Sequence, residues 1–221
     1  MFTHLNNITP VNLNTEEGPN GRFYLTPEGN KYPSITTILG AGDKPWLREW
    51  RDSMGADRAD AEMKRAADRG SAVHLMVERY LNNEVDPTRD MLPAHIPDFN
   101  MLKVHLKRIN NIHTQESALW SDVMRVAGRV DCIGEYDGVP AIIDFKTSTT
   151  DKKQSMIGDY FLQTTAYALM YLERYGIQID QIVIIMSSER GAVPLIFKQP
   201  IEPYIEPLLR RINTYHKTYG V

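Results

Sequence analysis

The sequence predicts an α/β fold in which a mixed central β-sheet is flanked by helices. Apolar residues recur at three- and four-residue spacing over 57–81, 99–112, 159–175 and 205–219, the period of helices with one buried face. Between 118 and 146 the period falls to two, as in strands, and the apolar run 181–187 fits one further, buried strand. Helix, strands, helix, strand is the order of a sheet enclosed by helices. A chain of 221 residues, 42% hydrophobic and 24% charged, is long enough to bury a core of its own.

Residues 1–20, rich in Asn, Thr and Pro and without a period, are expected to form a flexible N-terminal arm ahead of a single domain over 21–221. Arg22 to Tyr32 reads as a hairpin around Pro27-Glu28-Gly29. Pro33 to Leu39 opens a short helix with Ser34 as its cap, and Pro45 to Met54 forms another. Over 57–81, Ala66, Gly70, Val73, Val77 and Leu81 make one apolar stripe. Residues 83–98, with three prolines, read as a loop, and Phe99 to Ile112 as a helix with Leu102, Leu106 and Ile109 inward. Strands follow over 118–124, 126–136 and 139–146, a helix over 159–175, strands over 181–187 and 193–198, and a closing helix over 205–219.

A single cysteine, Cys132, excludes a disulfide framework and any four-thiolate metal site within the chain. The opening MFTHLNNITPVNLN has neither a charged n-region nor an apolar h-region, and no apolar run reaches the ~20 residues that span a bilayer, so no membrane partner is expected. A formal net charge of −3 argues against general coating of polyanions but leaves room for a local basic groove.

The strongest signal lies in Tyr136-Asp137-Gly138-Val139, because Asp-Gly marks a two-residue hairpin turn. If Tyr136 pairs with Val139, stepping back along both strands sets Asp131 opposite Asp144 and Arg129 opposite Lys146. Side chains so opposed have Cβ atoms about 4.5–5.5 Å apart. Two carboxylates at that separation, within strands of Val, Ile and Ala, repel unless a cation bridges them, and a hard divalent ion is the natural one. Lys146, two residues past Asp144, shares its side of the strand, where an ammonium can orient or deprotonate a water or neutralise a phosphate. Metal on one side and ammonium on the other is what phosphodiester hydrolysis requires. A lone Asp-x-Lys is more often a solvated surface pair, and here the apolar neighbours and the pairing register argue otherwise.

Other residues fit the same centre less specifically. His74 borders the apolar stripe of its helix, where a core or boundary histidine is the commoner reading on position alone and a third metal ligand the alternative. Gln163 and Tyr167, four apart, share a helical face, either to hold a phosphate or the lysine or as a half-buried polar edge. Glu116 opens the strand region, either as a solvated strand end or as a group that reaches metal or water. Thr147, Ser148, Lys152 and Lys153, together with Arg129, are the candidate contacts to a DNA backbone. Trp46, Trp50 and Trp120 are core residues by default and base-stacking residues by alternative.

Gly70-Ser71-Ala72-Val73-His74, Gly128-Arg129-Val130-Asp131, Ile143-Asp144-Phe145-Lys146-Thr147-Ser148 and Gln163-Thr164-Thr165-Ala166-Tyr167, in this order, resemble the PD-(D/E)xK nuclease superfamily in its RecB-like exonuclease branch. The run Pro33 to Leu39 and Trp46-Leu47-Arg48-Glu49-Trp50 extend the likeness toward the N-terminus. The resemblance implies a restriction-endonuclease-like core. It implies Mg2+ or Mn2+ held by His74, Asp131, Asp144 and the Phe145 carbonyl, with Lys146 as catalytic lysine and Gln163 and Tyr167 beside it. It further implies DNA as partner, digested from free ends with a preference for single strands, and unwinding supplied by a separate helicase or recombination partner. The absence of a transit-peptide pattern points to the cytoplasm of a bacterial or phage-infected cell. A structure-specific endonuclease and a non-catalytic DNA-binding module are the alternatives. Retention of the whole Asp, Asp, Lys set weighs against the latter.

Overall fold

The computed structural model describes residues 1–5, 8–42 and 45–220, with the side chain of Trp46 outside the described set. The chain opens with β1 (Asn14–Gly18), β2 (Gly21–Leu25) and β3 (Lys31–Pro33), a small antiparallel sheet in that order. Strands β2 and β3 are the expected hairpin, with Gly29 donating to the Thr26 carbonyl at 3.0 Å in its turn. Next comes α1 (Ile35–Gly40), whose cap is Ser34: its hydroxyl accepts from the Thr37 amide at 3.0 Å. Helices α2 (Pro45–Met54) and α3 (Ala56–Leu81) follow, then a single 3-10 turn at Pro93–His95 and α4 (Ile96–Leu106). The principal sheet is built from β4 (Ile109–Ser121), β5 (Val126–Tyr136), β6 (Val139–Ser148), β7 (Gln181–Ser188) and β8 (Leu195–Pro200), in that spatial order. Helix α5 (Gly158–Tyr175) links β6 to β7, the one parallel pair, and α6 (Glu202–Tyr219) closes the chain. A mixed five-stranded sheet with helices on both faces is the α/β, restriction-endonuclease-like arrangement.

Each face of that sheet has its own core. On one, Val73, Met76 and Val77 of α3 and Phe99, Leu102 and Leu106 of α4 pack against Cys132, Ile143, Phe145, Val183 and Ile185. On the other, Phe161, Ala166, Tyr167 and Tyr171 of α5 meet Val130, Ile133, Ile142, Ile182 and Ile184, with α1 and α6 outside them. Both sides of β6 and β7 are therefore apolar, which is why those strands read as near-continuous hydrophobic runs. Among the described residues no helix is long and apolar enough to cross a membrane.

Two expectations are corrected. The helix read over 99–112 runs from Ile96 to Leu106, and Ile109 already begins β4. Sheet pairing overrides the helical period there: Ile109 lies opposite Tyr136, while Arg108 clamps Asp137 at the far turn through two hydrogen bonds, from Nε at 2.6 Å and from Nη2 at 2.5 Å. Consequently β4 starts before residue 118 and ends at Ser121. The segment 1–20, expected to be a loose arm, is tied down in its described part. Phe2 donates to Asn83 Oδ1 at 2.6 Å, Leu5 to the Ile112 carbonyl at 2.9 Å, and Ala118 to the Val11 carbonyl at 2.8 Å, while 14–18 form β1. The outer edge of β4 offers unpaired amides and carbonyls, and the preceding chain satisfies them.

Candidate active site

The Asp137-Gly138 turn adopts φ of 55° and 77°, the left-handed pair of a two-residue hairpin loop, which asparagine, aspartate and glycine tolerate best. The ladder then runs in the expected register from Tyr136↔Val139 to Cys132↔Ile143. It stops one step short of Asp131 and Asp144. There a side chain takes over the pairing: Asp131 Oδ2 accepts from the Phe145 amide at 2.8 Å, in a buried bond. The strands carrying the two aspartates thus part where both must turn toward chemistry.

The carboxylates have different surroundings. Asp131 Oδ2 lies 3.6 Å from His74 Nδ1 of α3, and that nitrogen lies 3.9 Å from Glu116 Oε1 of β4. Among the described residues, His74, Glu116 and Asp131 are the group whose ligand atoms all fall within 4.8 Å of one another. Glu116 reaches it from a strained backbone, with φ of 46°, a left-handed conformation rare for a residue of its type. Asp144 is buried, and its carboxylate meets Lys146 Nζ at 2.6 Å from Oδ1 and 2.5 Å from Oδ2. Gln163 Nε2 also donates to Asp144 Oδ1, at 3.3 Å, and to Tyr167 Oη, at 3.1 Å. Asp144 Oδ2 is thus satisfied by the Lys146 ammonium, and Oδ1 is shared between Lys146 and Gln163.

Electrostatics follow from this packing. Burial lowers the His74 pKa, but the charge of Asp131 and the bond to Glu116 outweigh it and lift the imidazole to about 9. Burial raises Asp144 against the opposing pull of Lys146. Burial lowers Lys146, whereas Asp144 and Asp131 lift it further, so the ammonium is retained. Protonated His74 beside two carboxylates, and an ammonium on a third, describe a pocket already balanced by positive charge. Once the His74 proton is displaced, hard oxygen donors with one imidazole form a donor set that suits a divalent ion.

Sequence reasoning brought His74, Glu116, Asp131, Asp144, Lys146, Gln163 and Tyr167 into one region. It also set Asp144 in a shared grip with Asp131, whereas the structure groups Glu116 with Asp131 and turns Asp144 to Lys146. Arg129, expected opposite Lys146, is exposed and donates to Asn12 Oδ1 at 3.1 Å, because the ladder that would pair them has ended. Phe145 contributes its amide to Asp131, and its ring stands edge-on to His74 at 6.4 Å. Thr147 faces Gly70 of α3, Ser148 Oγ donates to the Thr150 carbonyl at 2.7 Å, and Lys152 and Lys153 lie in the loop between β6 and α5. Trp120 is buried beneath Arg174, its ring centroid 4.0 Å from the guanidinium carbon, and Trp50 is half-buried on α2.

Two residues escaped notice. Arg69 is buried on α3, contacting Glu189 at 2.7 Å and Asp98 at 3.7 Å. Its position four before Val73 was the available signal, since it puts a charge in the apolar stripe. Tyr160 lies one turn before Gln163 on α5, with Lys146 Nζ 5.1 Å from its ring centroid. Extending the Gln163–Tyr167 face back by three residues finds it.

The profile of the PD-(D/E)XK nuclease superfamily matches residues 95–191. Over that stretch the chain is similar to that superfamily. The matched stretch carries Glu116, Asp131, Asp144, Lys146, Gln163 and Tyr167, and leaves His74 outside on α3. The chain is also 25% identical over 176 residues to mitochondrial genome maintenance exonuclease 1 of Mus musculus, covering 74% of the chain and 52% of the mouse protein. To the Homo sapiens protein of the same name it is 30% identical over 92 residues, 39% of the chain and 26% of that protein. The chain thus spans about half of the mouse relative's length and about a quarter of the human one's. The crystal structure of SSO0001 superposes with a TM-score of 0.43 at 14% identity, over 81% of this chain and 72% of that one.

Proposed function

We propose that this chain is a deoxyribonuclease dependent on Mg2+ or Mn2+ that hydrolyses phosphodiester bonds from free DNA ends, with a preference for single strands. One observation carries the reading: a buried Asp144–Lys146 pair beside a His74–Glu116–Asp131 cluster, in a chain similar to a superfamily of nucleases. The names of the mouse and human relatives favour attack at ends. His74, Glu116 and Asp131 would hold the ion, with the Asp144 carboxylate, paired to Lys146, as a further oxygen donor. Bound there, the ion would supply Lewis-acid polarisation of the phosphodiester and acidify a water nucleophile.

The remaining work falls to the chain's own groups. Lys146 carries a positive charge that a non-bridging phosphate oxygen can share as negative charge builds in the transition state. Gln163 holds Asp144 Oδ1 in place, and Tyr167 in turn orients the Gln163 amide. Thr147 and Ser148 end β6 and Lys152 and Lys153 lie in the loop after it, where they would meet a DNA backbone passing Lys146. Arg129, turned to Asn12, is left out of this set.

End-labelled single-stranded, duplex and covalently closed circular DNA, each with Mg2+, Mn2+ or chelator, tests the reading. Linear single strands are expected to be digested and circles spared, with activity lost in chelator. Asp144→Asn and Lys146→Ala are expected to reduce the rate by about a hundredfold or more while the fold is kept. Cleavage of circles at the same rate would instead indicate an endonuclease. Full activity in either variant would refute the assignment.

A further inference from the structure

Lys146 is held on three sides, and only two of them belong to the motif. Asp144 takes the ammonium from within, and the strand backbone sets its direction. The third side is the ring of Tyr160, on the first turn of α5, 5.1 Å from Nζ to the centroid. Lysine ammonium groups at that distance from an aromatic face are attracted by the negative face of the ring. The contact is largely shielded from water: the Lys146 side chain is 19% exposed, and Tyr160 packs as a half-buried ring against the α5 core. Partial desolvation strengthens such a contact relative to one on an open surface.

The placement follows from the helix. Tyr160, Gln163 and Tyr167 fall three and four residues apart and so share one face of α5. Gln163 from that face reaches Asp144, and Tyr160 reaches Lys146, so one helix face addresses both members of the pair. Tyr160 is itself packed against buried apolar groups, and its carbonyl accepts from Thr164 Oγ1 at 2.9 Å, which fixes the ring's starting point. A long lysine side chain has several rotatable bonds and loses considerable freedom when held. A ring closing the third side restricts that freedom without adding a competing carboxylate, which would hold the ammonium away from a phosphate.

We infer that Tyr160 is a positioning residue for Lys146, and that its aromatic face keeps the ammonium aimed at the reacting phosphate. The inference rests on the nuclease reading above for its kinetic consequence and on the geometry alone for its structural one. The two are tested separately. For the kinetics, residue 160 is replaced by phenylalanine and then by mono-, di- and trifluorinated phenylalanine, which weaken the negative face of the ring at nearly constant shape. From phenylalanine to the trifluoro ring, kcat on a linear single-stranded oligonucleotide is expected to fall stepwise, by about three- to tenfold in all. KM and Tm are expected to stay level, and Tyr160→Phe to match the wild type. A flat kcat series overturns the inference, and so does a rise in KM at constant kcat, which would make the ring a contact for the substrate. For the geometry, NMR of the Lys146 methylene protons, assigned with Lys146→Arg, reads the ring directly. Their ring-current shift should persist in Tyr160→Phe and vanish in Tyr160→Leu. An unchanged shift in Tyr160→Leu overturns the inference whatever the enzyme does. Absence of nuclease activity in the wild type would sink the functional reading and leave the NMR result to decide this one.

Discussion

At the scale of residues, what a side chain needs to approach decides what may stand beside it. A Cβ added to Gly128 would come within 2.8 Å of Tyr167 Cε1 and 3.2 Å of Ile35 Cγ2, both in the packed face under α5. Gly128→Ala is therefore expected to cost about 1–3 kcal/mol, measured as the shift in urea midpoint, because neither neighbour has room to yield. It should also lower kcat, since displacing Tyr167 disturbs the Gln163 bond that steadies Asp144. The sequence made the aspartates and the lysine legible because an Asp-Gly turn fixes the register and period two fixes the sides. It did not reveal that Asp131 would bond the Phe145 amide, since the end of a ladder is set by how strands splay. Nor did it reveal the contortion at Glu116, because a positive φ in a glutamate has no composition signal.

At the scale of elements, helix periods and the hairpin turn were readable to within a few residues for α1, α2, α3, α5, β5 and β6. The boundary between α4 and β4 was not, because residues 109–112 satisfy a helical stripe and yet are claimed by pairing along β5. Also invisible was the strut that joins α3 to the end of β7. Glu189 receives Arg65 at 2.5 Å and Arg69 at 2.7 Å, while its own amide donates to the Ser148 carbonyl at 3.0 Å. The hydrogen bond from Arg65 holds the Glu189 carboxyl down at about 2, against a smaller upward push from burial, with Arg69 assisting. A carboxylate depressed in the folded state stabilises above its unfolded pKa and loses that contribution as pH falls through the folded value. Glu189→Gln is thus expected to lower Tm at pH 7, with the gap to wild type shrinking below about pH 4.5 and closing near pH 2. A gap that stays constant across that range in calorimetry would show the strut to act by packing alone. His74 lies on α3 five residues after Arg69, which Glu189 ties down, so Glu189→Gln should weaken cation binding as well, readable by titration calorimetry with Mn2+.

At the scale of the whole molecule, the sheet has two rims of unequal character. Along β4, residues 1–5 and 8–13 lie as a strap, with Leu5 donating to the Ile112 carbonyl and Ala118 to the Val11 carbonyl. Along β8 no strand of the described residues follows in the sheet order, and that rim carries Lys198 and Pro200, residues that discourage a further strand from docking. The strap thus acts as a stopper on the rim that lacks such guards. Cutting away residues 1–13 would bare a long, half-buried strand whose amides seek partners. Light scattering of that truncated protein should show self-association growing with concentration, in contrast to the full chain. What reads in one dimension as a polar, patternless beginning serves in three as insurance against the molecule recruiting its own copies.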